Sequence, residues 1–204
     1  MARPRAVNLF FRNQSLPVVI RTQIRNKRMK HLTLALALAT LAGGAHAADY
    51  IAGFGNGTQQ FQRTPDGFGI GLNLDYLRDD HKGSAGGAGL EFALPLGPLT
   101  VAGGGKLMAL SPDSGSASAA LIGGRASFDV APKVKLFGQA YYAPSSFASG
   151  SVNRVSDYAA GVRWNAFGPL SLEAGYRYFD IRRDDSHRSR TLADGAYLGA
   201  GLSF

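Results

Sequence analysis

Cysteine is absent from the 204 residues, which excludes disulfide frameworks, cysteine-ligated zinc, covalent haem attachment and thiol catalysis. Long apolar runs are absent too: none reaches the roughly 18–20 residues that a membrane-spanning helix needs. Acid is missing from residues 1–30, which hold eight basic side chains (Arg3, Arg5, Arg12, Arg21, Arg25, Lys27, Arg28 and Lys30). Setting those eight aside leaves 14 basic against 14 acidic residues, so the formal charge of +8 belongs to the N-terminal segment and residues 48–204 are formally neutral. A nucleic-acid-binding body thereby loses its main support. Helix-forming character is scarce as well. Residues 48–204 hold 25 of the 27 glycines, about twice the average usage, and glycine is a poor helix former.

The N-terminal segment has the order of a secretory signal. Lys30 precedes the apolar stretch 32–41 (LTLALALATL), and small residues follow at 43–47 (GGAHA). Ala45 and Ala47 fit the A-x-A cleavage pattern, which places the cut after Ala47. Met29-Lys30-His31 makes a compact start, so Met29 is read as the true initiator of a signal peptide over 29–47. Residues 1–47 are thus a leader and signal peptide, and 48–204 form the mature domain.

The mature chain is patterned in steps of two rather than 3.6. Over 170–178, Leu170, Leu172, Ala174, Tyr176 and Tyr178 alternate with Ser171, Glu173, Gly175 and Arg177. Over 157–165, Tyr158, Ala160, Val162 and Trp164 alternate with Asp157, Gly161, Arg163 and Asn165. Residues 68–76 and 87–94 read the same way. Eight such runs occur, at about 67–78, 85–94, 99–110, 118–129, 133–143, 155–166, 170–182 and 195–204. Short proline-bearing turns at 94–99 (LPLGPL), 130–134 (VAPKV) and 166–170 (AFGPL) alternate with longer polar links at 78–84, 111–116, 144–154 and 183–194. That is the layout of an up-and-down antiparallel array with one tidy and one ragged end. Residues 49–62 pattern less cleanly and are left as a further segment, a lead-in or lumen filling.

A soluble sandwich would also alternate, but three features favour an all-β transmembrane barrel of about eight strands, with ten as the even alternative. The apolar face carries aromatics near strand ends (Tyr76, Phe92, Phe128, Tyr142, Trp164, Tyr178 and Phe204), the pattern of an interfacial girdle. The opposite face mixes glycine with Glu91, Lys106, Arg125, Gln139, Arg163, Glu173 and Arg177, as a narrow side-chain-filled lumen requires. The chain ends on Phe204, and Tyr197, Gly199, Leu202 and Phe204 match the C-terminal pattern that the outer-membrane assembly machinery reads. The predicted location is the outer membrane of a Gram-negative bacterium.

The stretches 94–99 (LPLGPL), 110–113 (LSPD), 141–144 (YYAP), 163–178 (RWNAFGPLSLEAGYRY) and 191–199 (TLADGAYLG) occur in an order that resembles the YfaZ family of Gram-negative outer-membrane proteins. The resemblance covers much of 90–204. It implies an outer-membrane barrel and supplies no activity, substrate or site residues.

Residues that could carry chemistry are few. His81 and His187 are the mature chain's only histidines, both in long links and without an H-E-x-x-H pattern, so metal catalysis has no support. His187 lies in 184–190 (DDSHRSR), but a Ser-His-Asp triad converges from separate elements, and no G-x-S-x-G elbow is present. Neither 67–71 (GFGIG) nor 103–107 (GGGKL) completes a nucleotide-binding motif. The inward charges are more informative. Glu91 and Lys106 flank one turn and Arg163 and Glu173 another, so each couple is placed to pair across adjacent strands. A lumen of such pairs, with Arg125 and Arg177, is either an ion-paired plug or a narrow selective channel, and the small bore of eight strands favours the plug. Arg182, Arg183, Arg188 and Arg190, in the last long link, could contact lipopolysaccharide phosphates. A structural or interaction barrel therefore comes first, a small-solute channel second and an outer-membrane lipid hydrolase third. No cofactor, metal or nucleic acid is expected. The expected partners are membrane lipid, lipopolysaccharide and the assembly machinery, and the barrel is expected to be a monomer.

Overall fold

The computed structural model of the chain describes residues 47–112, 116–150, 152–183 and 189–204. The predicted signal peptide up to residue 46, and Arg188 and His187, lie outside the described residues. Ten strands follow one another: β1 (Ala48–Gly55), β2 (Thr58–Pro65), β3 (Gly69–Asp79), β4 (Gly83–Leu96), β5 (Leu99–Pro112), β6 (Ala117–Ala131), β7 (Val134–Ala143), β8 (Val152–Phe167), β9 (Leu170–Arg183) and β10 (Ser189–Ser203). Every strand pairs antiparallel with its sequence neighbours, and β1 closes the ring on β10 through the register Asp49↔Ser203 to Phe54↔Leu198. Closure leaves no open edge, the condition for a sheet to exist in lipid.

The strand count corrects the expectation of eight. The eight alternating runs correspond to β3–β10, and residues 48–65 add a hairpin. Its turn is Asn56-Gly57, with φ of 31° and 81°, the doubly left-handed geometry of a two-residue hairpin loop. The alternation fails on β2 because its outer face carries Gln59, Phe61 and Arg63, of which only Phe61 is apolar. Arg63 is screened on that face. Its guanidinium lies 5.5 Å from the Tyr50 ring centroid, Nε donates to the Tyr50 hydroxyl (3.1 Å), and Nη1 donates to the Leu72 carbonyl.

The side chains divide by parity. Leu72, Leu90, Leu107, Ile122, Val162, Leu170, Leu172 and Leu198 are exposed on the outside, Leu107 and Leu198 each at 70%. A continuous apolar belt of this kind marks a membrane surface, not the face of a soluble monomer. Exposed Phe68, Phe92, Phe128, Trp164, Phe167 and Phe204 mark the end with short turns, and Tyr142, Tyr158 and Tyr176 lie toward the opposite, loop end. The alternate positions fill the interior, which has two tiers. Toward the loop end it is apolar, with Leu77, Met108, Leu110, Leu121, Val155, Phe179, Ile181 and Leu192 in one buried cluster. Deeper in, it is polar and charged.

Candidate functional site: the charged interior

Each strand contributes to the polar interior, because an inward position recurs every second residue. At its centre are two cations and two carboxylates. Lys106 Nζ lies 2.8 Å from Asp75 and 2.6 Å from Asp157. Arg177 spans the same two acids: Nη2 reaches both Asp75 oxygens (2.7 and 3.0 Å), and Nε and Nη2 reach Asp157 (both 3.1 Å). Arg177 Nη1 also donates to Gln60 (3.2 Å), and the Lys106 ammonium sits 4.3 Å from the Tyr141 ring centroid. Asp157 and Arg177 are 0% and 1% exposed. Charges so deeply removed from water are tolerable only when fully paired and hydrogen-bonded, and the two-against-two balance meets that condition.

Two flanking groups extend the network. Glu91 accepts from Asn73 Nδ2 and the Tyr141 hydroxyl (both 2.5 Å) and from Arg125 Nε (2.8 Å). Arg163 donates to Glu173 through Nε (2.8 Å) and Nη2 (2.6 Å) and to Asp49 through Nη1, and the Tyr197 hydroxyl donates to Glu173 (2.6 Å). Counting Gln60 and the two tyrosines, all ten strands meet here. Glycine makes room for the rings. Gly123 is the cross-strand partner of Tyr141, Gly161 of Phe137 and Gly175 of Tyr197. A Cβ at these glycines would fall 2.8–2.9 Å from the facing ring, so the rings lie over bare backbone, and the Tyr141 and Tyr197 hydroxyls reach Glu91 and Glu173.

The structure places Glu91, Lys106, Arg125, Arg163, Glu173 and Arg177 in the interior, but not all with the partners that adjacency suggested. Arg163 and Glu173 are direct cross-strand partners and do meet. Glu91 and Lys106 do not: each stands opposite a glycine, Gly104 and Gly89 respectively, so each side chain reaches across the lumen to other strands. Sequence reasoning missed Asp49, Asn73, Asp75, Asp157 and the roles of Tyr141 and Tyr197. Parity was the available signal for Asp75 and Asp157, which fall on the glycine-bearing face of their strands.

Two small recesses are seen among the described residues. A recess at the turn end, lined by Asp49, Gln62, Thr64, Ser127 and Lys135 among others, amounts to about 20 Å³, and one at the loop end, beside Asn56, Asp79 and Lys82, to about 30 Å³. Each has room for about one or two waters. At the turn end Lys135 pairs with Asp66 at 3.2 Å. Burial pushes the Asp66 carboxyl up, but the Lys135 ammonium and the Gly67 N–H outweigh it and hold the group below the usual carboxylate range. Among the described residues no group of three or more His, Cys, Asp or Glu is placed to hold a metal ion.

The remaining residues singled out in the sequence are dispersed. Arg182 is exposed on the outer face of β9, and Arg183 and Arg190 are half-buried at the loop-end rim. Tyr197 and Gly199 face the interior. Leu202 lies on the outer face, as does Phe204, whose ring packs edge-on against Tyr50 at 6.4 Å.

A closed ring of ten strands with an apolar outside and a paired, charged inside is the frame for the comparisons with known proteins. The family described as "YfaZ precursor" matches residues 29–204. The chain belongs to the YfaZ family. A relative, "Outer membrane protein YfaZ" of Escherichia coli (strain K12), is 34% identical over 178 residues, spanning 83% of this chain and 98% of the relative. With the barrel geometry, this makes the chain an outer-membrane β-barrel protein of the YfaZ family.

Proposed function

We propose that this YfaZ-family barrel is a non-conducting structural and interaction protein, whose work is done at its lipid-facing wall and loop end. The observation that carries this reading is the two-tier filling of the interior. The apolar cluster around Phe179 and Leu110 lies across the loop-end half, and the Lys106–Asp75–Asp157–Arg177 group lies across the middle. An ion path would have to break paired charges already removed from water, at several kcal/mol for each uncompensated charge. Ten strands enclose more room than eight, and long side chains and rings seated on glycine occupy it. Among the described residues, the interior recesses that would favour a channel are small, about 20 and 30 Å³. No catalytic step is assigned.

Purified protein reconstituted into planar bilayers is expected to give no discrete current steps. Reproducible unitary conductance from folded, heat-modifiable protein would overturn the proposal. Export is part of the same reading: residues 29–47 act as a cleaved signal, and residues 48–204 are the mature protein. The start of the family match at residue 29 supports that assignment. Amino-terminal sequencing of the membrane-inserted protein is expected to begin at Ala48. Tyr197, Gly199, Leu202 and Phe204 are proposed as the recognition pattern for the assembly machinery, and lipopolysaccharide is the proposed neighbour at the loop end.

A further inference from the structure

The outer wall of β8 and β9 presents a like-charge pair. Tyr158 and Tyr178 are direct cross-strand partners, and their rings stack at 6.4 Å with an interplanar angle of 19°. Four residues further toward the loop end, on the same face, Arg154 and Arg182 are also direct partners. Like charges directly opposite on adjacent strands repel. The positions separating the two pairs are Ser156 and Asp180, both buried, and Asp180 accepts from the Thr191 hydroxyl at 3.1 Å. Among the described residues no ion pair joins Asp180 to either arginine. Arg154 Nε is buried without a hydrogen-bond partner. The two arginines, paired across the ladder on the outer face, repel each other, and an anion between them would relieve that repulsion.

Below the tyrosines the same wall is furrowed. A shallow depression, open to the lipid-facing side, lies over β6–β8, floored by Gly124, Gly138, Ala140 and Ala160 and bordered by Tyr158, Tyr176 and Tyr178. The vertical order is therefore cationic pair, aromatic step, apolar furrow. This order fits an amphiphile whose anionic head lies at the interface and whose chains lie along the wall.

We propose that Arg154 and Arg182 clasp a phosphate of a phosphorylated glycolipid of the outer leaflet, the lipid A part of lipopolysaccharide, with an acyl chain held in the depression beneath. The assignment rests on the outer-membrane orientation proposed above, with the loop end outward. Two guanidinium forks suit a phosphate because each can offer it paired N–H donors, and the leaflet at the loop end is the one that carries the phosphorylated glycolipid. The site differs from the loop cluster that the sequence suggests: it keeps Arg182, adds Arg154 from the adjacent strand, and does not draw on Arg183, Arg188 or Arg190.

The test compares wild type, Arg154→Ala/Arg182→Ala, Arg182→Ala alone and Gly138→Leu. All are extracted from outer membranes in mild detergent, and bound lipid A is quantified by its 3-hydroxy fatty acids. Gly138→Leu is chosen because a Cβ there has its nearest neighbour at 3.9 Å, so the side chain fills the furrow without disturbing the backbone. Wild type is expected to retain lipid A. The double variant should lose about tenfold or more, as when charge-assisted hydrogen bonds to an anion are removed. Gly138→Leu should also lose retention although both arginines remain. Nanodiscs containing phosphatidylglycerol with or without lipid A then separate the sources, and native mass spectrometry should find lipid A retained selectively. Undiminished retention in the folded double variant overturns the proposal, as does equal retention of phosphatidylglycerol. If the double variant does not fold, the exposed Arg182→Ala decides on the same criterion. The gel shift between unheated and boiled wild type reports the barrel itself, so its absence would count against the fold and not against the lipid site.

Discussion

Arg177 occupies the position where one side chain has most to lose. It touches Asp75, Asp157 and Gln60 at once, and among the described residues only Lys106 shares its two acids. Replacement by methionine keeps the approximate volume but leaves two buried carboxylates facing one ammonium. Removing one partner of a buried ion pair costs roughly 3–5 kcal/mol. Arg177→Met is therefore expected to lower the unfolding free energy of the reconstituted barrel, read from its urea titration, by about that amount, with the midpoint falling accordingly. Arg177→Lys, which keeps the charge but not the fork, should lie between it and wild type. An unchanged midpoint in the methionine variant would mean that the central charges do not hold the interior together. The inward identity of such residues is legible in the sequence, since parity alone assigns them a face. Their partners are not. Lys106 meets acids 31 and 51 residues away, and Arg177 meets Gln60 at a separation of 117. Pairing across a turn is the only contact that spacing reveals. It holds for Arg163 with Glu173 and fails for Glu91 with Lys106, where the facing residues are glycines.

At the scale of elements, β3–β10 announce themselves because lipid outside and charge inside force a strict alternation. The hairpin of β1 and β2 does not. Gln59 and Arg63 sit on its outer face, and the arginine is tolerated there because Tyr50 and a backbone carbonyl take up its donors. The missed signal was Asn56-Gly57, a dipeptide suited to two left-handed residues in succession. That geometry yields a prediction. Gly57 has φ of 81°, and no atom lies within 4 Å of the point where a Cβ would stand, so a larger residue costs backbone strain and not a clash. Gly57→Val is expected to destabilise the barrel by about 1–3 kcal/mol, whereas Gly57→Asn should be nearly neutral. Urea midpoints of the two variants check this, and equal values would show that the turn does not determine closure.

At the scale of the whole molecule, β1 and β10 are joined twice: along their ladder, and through Asp49, Arg163, Glu173 and Tyr197 inside. A chain lacking residues 189–204 loses both β10 and the Tyr197 hydroxyl, and β1 and β9 become open edges. Such a truncation is expected to yield no heat-modifiable species in membranes. A truncated protein that still shifts on unheated gels would contradict the closed ten-strand ring.

Every strand supplies a member of the buried polar network, so a chain that has not closed leaves some of these groups without their native partners. An unfinished chain exposes orphaned carboxylates and guanidiniums to whatever surrounds it, and these are repelled by hydrocarbon. Closing the ladder between β1 and β10 and completing the inner contacts from Asp49 through Arg163 and Glu173 to Tyr197 are therefore one event.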